Sequence, residues 1–464
     1  MNKLNIMVLA AVTAPFLIIA GPTISDIQLS QNMSREVTIT YKLAGEPAVV
    51  TMDIITNCVG GAESCPGASI GGRNLWYAQG DVNRLVGKGF DFSDGATKDC
   101  TITWTPNNTP IGESGFKADA ESVRAVVKAW ATNCPPDYMV VSLDVPATTY
   151  GGANAGARAE YYPAADFVPG GVTENPVYKE TKVVMRKIPA AGVIWRMGST
   201  AASDGSERTA NEEIPRLVRL SYDYYMGVFP VTQGQYVCVT NENPSLWSAT
   251  CATTNVPDWA WHPVEFGSTV NGVALSQLHN LRGPDDNPIA ARPAEDSILG
   301  LMSAASGVQF DLPKEAEWEY ACRAGSGSKY GRGEDGFDIK SYKELTWTGQ
   351  NTKPSGIVGC MKPNAWGLYD MFGLVWDLCL DYYINGENLY ATFEGKGYVD
   401  PVEDPFVDST AGVGSWKDRK TRVLKGASLS GGSLQFRAAF LSYGSFGWTT
   451  QLLGFRLRAP AVAE

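Results

Sequence analysis

Histidine and cysteine carry most metal, acid–base and nucleophile chemistry, and this chain distributes them unevenly. Only two histidines occur in 464 residues, His262 and His279, so a three-histidine metal site or two independent imidazole centres cannot be built. Each is expected to be an ordinary polar or capping side chain. Nine cysteines stand at positions 58, 65, 100, 134, 238, 251, 322, 360 and 379. None forms a Cys-x-x-Cys pair, which excludes a zinc ribbon. In an oxidising compartment they read as disulfides plus one leftover: Cys58 with Cys65 across a Gly-rich loop, Cys100 with Cys134, and Cys238 with Cys251. Cys322, Cys360 and Cys379 remain, and which of the three is free stays open. A third group of residues points to contact rather than turnover. From Ser428 to Leu453 the only charge is Arg437, set among five aromatics, Phe436, Phe440, Tyr443, Phe446 and Trp448, with serines and glycines between them. Rigid rings supply contact area and small polar residues adapt to it, the mixture of a binding surface. Tyr443, Phe446 and Trp448 are therefore expected to dock a protein or glycan ligand, with Phe440 and Arg437 at the edge. Phe436 and Phe440 are balanced between that surface and the core.

The elements that must position these residues begin after an export segment. Lys3 precedes an apolar stretch from Ile6 to Ala20, which has the charge order of a secretory signal and is too short, with Pro15 inside it, for a span that needs ~20 residues. Residues 1–20 are expected to be a signal peptide cleaved near Ala20, leaving an extracytoplasmic protein, periplasmic or secreted, without a membrane span. Acidic residues outnumber basic ones 49 to 38; phosphate-backbone recognition needs clustered Lys and Arg, so no nucleic-acid partner is expected.

Residues 21–150 alternate apolar and polar positions. Val37, Ile39, Tyr41 and Leu43 do so, then Val50, Met52 and Ile54, then Val123, Ala125, Val127 and Ala129 against Arg124 and Lys128. Period two means half-buried strands. With Met139, Val141, Leu143 and Val145 closing it, the region resembles an all-β immunoglobulin-like sandwich. Residues 151–180, rich in Gly, Ala and Pro, read as a linker or irregular crossover. Residues 181–464 change to an α+β texture. Thr232 is placed to cap a helix through Val239, and Asp311 or its neighbour to cap a second, with Pro313 in its first turn, Gly325 as its stop, and Trp318 and Cys322 on its core face.

Four motifs in this second region, in order, resemble the formylglycine-generating enzyme family, also called the sulfatase-modifying factor family. They are Ile188–Ser199, Val228–Tyr236, Phe310–Gly325 and Pro363–Met371, followed by two framing segments, Arg422–Gly426 and Gly454–Leu457. The resemblance covers about Thr181 to Pro460 and implies an α+β variant of the C-type lectin fold. Active members carry two cysteines, five apart, after the first framing strand, where a soft thiolate pair stabilises Cu(I). Laid on that motif from Gly426, the two positions fall at Gly431 and Phe436. Neither carries a thiol, and no cysteine lies beyond Cys379. The resemblance thus implies a catalytically inactive domain of an exported ligand-binding or display protein, set against the alternative of a formylglycine-generating oxidase acting on sulfatase cysteines. A branch of the family that holds iron with three histidines is excluded by the histidine count. Members that bind calcium use a Gly-Asn-x-Trp-Glu turn, which reads Gly373-Leu-Val-Trp-Asp377 here. Asp377 is the one calcium candidate, with a surface or capping role as its other reading, and no other cofactor is implied. The aromatic C-terminal run also resembles the variable proteins of diversity-generating retroelements, which diversify this stretch for ligand binding.

Overall fold

A computed structural model describes residues 21–463 except 59–66, 114, 119–121, 145–157, 208–212, 248–257, 267–268, 271–272, 275–280, 284–291, 334, 337, 348–355, 384–399, 408–420 and 446–449. The expected signal peptide, His279, Cys65, Cys251, Phe446 and Trp448 lie outside the described residues. The chain is mostly β with few helices.

Its first unit is built from β1 (Thr23–Gln31), β2 (Val37–Ala44), β3 (Ala48–Thr56), β4 (Thr97–Trp104) and β5 (Arg124–Ala131). Strands β1, β2 and β4 form one antiparallel sheet; β3 and β5 belong to another. The period-two positions decide which face is inward. Val37, Ile39, Tyr41 and Leu43 from β2 meet Val50, Met52 and Ile54 from β3 and Val127 from β5 in one buried cluster. Burying each large apolar side chain contributes about 1.5–3 kcal/mol, so the alternation alone holds the two sheets face to face.

The expectation that Met139 to Leu143 would close this sandwich is corrected. β6 (Tyr138–Ser142) instead pairs with β7 (Ala159–Tyr162) and with β8 (Lys182–Ile188), and these continue through β9 (Tyr224–Gly227) to the C-terminal β14 (Arg458–Pro460). Met139, Val141 and Tyr161 accordingly lie in the core of the second unit. Within the 151–180 stretch lie β7 and the short helix Val177–Glu180. Two faces of β6 are buried, and its short apolar run fits a central strand better than an edge of a half-exposed sandwich.

Helix α1 (Gln233–Thr240) starts at Thr232 as expected. The Thr232 Oγ1 accepts from Gln235 N at 3.2 Å while Gln235 Oε1 accepts from Thr232 N at 3.0 Å, a reciprocal cap. Helix α2 (Ile298–Ser306) is capped by Ser297 and ends at Gly307. Helix α3 (Glu315–Arg323) does not use Asp311 as its cap. Glu317 reaches back to the Lys314 amide at 2.8 Å, Asp381 accepts from the Glu315 amide at 2.7 Å, and Asp311 is held in an ion pair with Arg282. Trp318 and Cys322 are core anchors, both essentially fully buried. The last sheet contains β10 (Trp376–Tyr382), β11 (Thr421–Lys425), β12 (Ser442–Ser445) and β13 (Leu453–Gly454), in the order β12-β11-β10-β13. The two framing segments thus meet in one sheet, on either side of β10.

The cysteine pairing is corrected in two places. Cys100, Cys134 and Cys238 are free thiols. Cys100 lies in the buried apolar cluster of the first unit on β4, opposite Tyr41, whereas Cys134 is exposed in the turn after β5, so the two are in different environments. Cys238 packs on the core from α1. Cys58 is disulfide-bonded, and its expected partner Cys65 lies outside the described residues. Among the leftover three, Cys322 and Cys379 are buried and Cys360 is exposed, all as free thiols. Burial pushes the Cys322 thiol up to about 12 and Cys379 well above the ordinary range, which makes both poor nucleophiles.

Candidate functional site

Three buried ion pairs fix the frame beneath the C-terminal segment. On β11, Lys425 Nζ sits 3.2 Å from Glu319 Oε2 of α3, and Glu319 Oε1 also takes Arg323 Nη2 at 2.8 Å. Burial alone would raise the Glu319 carboxyl, but Lys425 and Arg323 outweigh it and hold the group below its ordinary value. After β13, Arg456 reaches across with Nε 3.2 Å from Asp377 Oδ2 and both Nη groups on the backbone oxygens of Gly227, Val228, Tyr369 and Asp370. A guanidinium is suited to this because its planar fork satisfies several oxygens at once.

Arg437 forms the third. Its side chain has no exposure; Nη1 lies 2.7 Å from Asp204 Oδ2, and Nη2 lies 2.6 Å from Glu213 Oε1. The expectation of Arg437 at the edge of a contact surface is therefore corrected. A solitary charge inside an apolar run is stable here because two carboxylates, distant in sequence, neutralise it in the interior.

The surface or capping reading of Asp377 is corrected as well. It lies on the central strand β10, opposite Lys425 on one side and Gly454 on the other, and is 2% exposed. Its Oδ2 accepts from Trp318 Nε1 at 2.9 Å and from Arg456, which leaves only Oδ1 without a hydrogen-bond partner. Leu374 is fully buried and its backbone oxygen accepts from Leu429 N. Calcium takes about 6–8 oxygens, and a single carboxylate oxygen beside a guanidinium does not fit it.

The two positions where a thiolate pair would stand are brought together in space. A Cβ added at Gly431 would lie 3.0 Å from Cζ of Phe436. The Phe436 ring is 1% exposed and stacks on Tyr342 with centroids 5.0 Å apart. Phenyl and glycine thus fill the volume of the would-be metal site with hydrocarbon.

Outward from this point the aromatic run divides. Phe440 is half-buried against Trp376, at 6.1 Å between centroids, and near the Arg437 guanidinium at 5.6 Å. Tyr443, on β12 opposite Val423, is 39% exposed and stacks one face on Tyr383 at 4.4 Å. Of the five candidate ligand-binding residues, Tyr443 is thus placed at the surface, Phe440 at its margin and Arg437 inside. Phe446 and Trp448 lie outside the described residues. Sequence reasoning missed Asp204 and Glu213, whose only signal was an unexplained charge at Arg437.

The profile of the sulfatase-modifying factor enzyme 1-like domain matches residues 179–460, more than half of the chain. The chain belongs to the sulfatase-modifying factor family. A formylglycine-generating enzyme of Mus musculus is 33% identical over 97 residues, 18% of this chain and 26% of that protein. The match therefore spans about a quarter of the mouse enzyme's length. Another relative, the chaperone protein LppX of Paenibacillus barcinonensis, is 27% identical over 209 residues, 39% of this chain and 71% of that protein. Among solved structures, Treponema denticola variable protein 1 aligns with a TM-score of 0.40 at 23% identity, covering 60% of this chain and 96% of that one. Within the family domain of this chain, the framing sheet, the Trp318 helix and the three buried ion pairs are the scaffold, and Gly431 and Phe436 mark where it departs from the thiolate pattern expected of active members.

Proposed function

We propose that this is an exported ligand-binding protein whose sulfatase-modifying-factor-type domain presents the segment Ser428–Leu453 as a contact surface and does not oxidise cysteine. The observation that carries the reading is the hydrocarbon at the thiolate positions: Gly431 and Phe436 pack on each other and supply no soft ligand. The exposed ring of Tyr443 supports the contact surface, because aromatic side chains give large area with few rotors to freeze. The ligand is a glycan stacking on ring faces or a protein burying the rings in pockets. The two-sheet unit ahead of the domain is read as an immunoglobulin-like spacer, and the apolar stretch Ile6–Ala20 supports export.

The test compares wild type with the triple variant Tyr443→Ala, Phe446→Ala, Trp448→Ala on arrays of glycans and of extracellular protein domains. Selective loss of a retained ligand by a variant that still unfolds cooperatively, with a melting temperature lowered by no more than loss of the Tyr443–Tyr383 stack explains, supports the reading. Loss of binding only together with unfolding overturns the surface, since the rings would then belong to the core.

A further inference from the structure

We infer a second binding site, independent of the C-terminal segment, that takes a small organic carboxylate with an apolar body. A cavity of about 1090 Å3 opens between α2, the residues leading into α3, and the ends of β10 and β14. No residue of Ser428–Leu453 lines it. Its volume lies just above the range of about 300–1,000 Å3 that ligand sites usually occupy, so it is roomy enough for a small organic molecule.

The charges on its wall select the ligand. Asp311 is held by Arg282 through two contacts, Nε to Oδ1 at 3.0 Å and Nη2 to Oδ2 at 3.1 Å. Glu317 is held by Arg458 at 3.1 Å and by the Lys314 amide at 2.8 Å. Of the three wall acids, Asp311 and Glu317 are therefore neutralised within the protein, and the third, Glu295, is solvent-exposed beside the equally exposed Arg292. Lys314 differs. Its ammonium donates to the Tyr222 hydroxyl at 2.9 Å and lies 5.4 Å from the Tyr222 ring and 5.3 Å from the Phe406 ring. No carboxylate of the described residues forms an ion pair with it. An ammonium held between two rings on the wall of a largely apolar cavity attracts an anion that brings its own hydrocarbon, because the rings and Leu380 and Pro460 offer the matching surface.

Asp381 holds the two walls in register. Its Oδ2 accepts from the Glu315 amide at 2.7 Å and its Oδ1 from the Val407 amide at 3.0 Å. Those amides adjoin Lys314 and Phe406, whose ring lies 5.3 Å from the Lys314 ammonium. A buried carboxylate with both oxygens on backbone amides keeps a site ordered before the ligand arrives, which lowers the ordering cost of binding.

The test is calorimetric titration of the full chain with naphthoate and with naphthamide, which has the same ring system and no charge. Naphthoate is expected to bind wild type about tenfold more tightly than the amide, a preference set by one charge-assisted contact, and to lose that preference in Lys314→Met but not in the surface control Lys88→Met. Equal affinity for acid and amide, no measurable binding of naphthoate, or an unchanged preference in Lys314→Met each overturns the site. Should Lys314→Met fail to fold, the wild-type acid-over-amide preference and its decline with added NaCl decide the question alone.

Discussion

Replacing Arg437 by methionine tests whether this residue serves the fold or a ligand. The side chain has no exposure and contacts two carboxylates, Asp204 and Glu213, at 2.6–2.7 Å. Methionine fills similar volume but leaves both acids uncompensated, and breaking a buried pair from one side costs about 3–5 kcal/mol. Asp204 is already under-satisfied, its Oδ1 having no hydrogen-bond partner, which places the cost toward the upper end. Against a typical domain stability of about 5–15 kcal/mol, the variant should show a much lower urea midpoint with an unchanged slope. The variant Arg437→Met, Asp204→Asn, Glu213→Gln removes the stranded charges and should recover most of the loss. A single variant within about 1 kcal/mol of wild type would refute the argument, since a penalty that small belongs to exposed pairs.

Other outcomes follow from the same geometry. Asp381 is buried, and burial followed by the Glu315 carboxylate pushes its carboxyl up from the ordinary 3.8 to about 7, with Lys314 opposing and Arg422 and Cys379 also facing it. Because the folded value is raised, the contribution is full below about pH 4 and is lost as pH rises toward 7. The loss is at most ~4 kcal/mol at about 1.36 kcal/mol per unit, and urea melts of wild type and Asp381→Asn should differ in pH slope across that window; parallel slopes refute it. Tyr443→Ala removes a surface ring stacked on Tyr383 and should cost about 0.5–1.5 kcal/mol, read by thermal unfolding. Gly426 has φ +85°, and a Cβ there would lie 2.7 Å from the Met371 carbonyl oxygen. Gly426→Ala should therefore destabilise by more than about 1 kcal/mol, and a neutral melting temperature would contradict the strain.

The family domain was legible because its motifs are local. The segment around Trp318 states its own helix, its stop and its core face, and Val37 to Leu43 states an inward face by alternation. What was not legible depends on partners far along the chain. Met139 and Val141 have the pattern of a strand but not the identity of its neighbours; pairing with Lys182–Ile188 placed them in the second unit. The lone charge of Arg437 reads as a surface contact until Asp204 and Glu213, more than two hundred residues earlier, arrive beside it. Asp377 similarly reads as exposed until its strand is flanked on both sides by β11 and β13. The cavity beside Lys314 has no linear signature, since Tyr222, Lys314, Phe406 and Pro460 come from four separate stretches.

The most direct test of the central claim is mass spectrometry of a sulfatase-motif peptide incubated with the purified chain, copper and oxygen. With glycine and phenylalanine at positions 431 and 436, the peptide cysteine should emerge with its thiol intact and its mass unchanged. Time-dependent conversion of that thiol to an aldehyde, abolished by heat inactivation of the protein, would contradict the account.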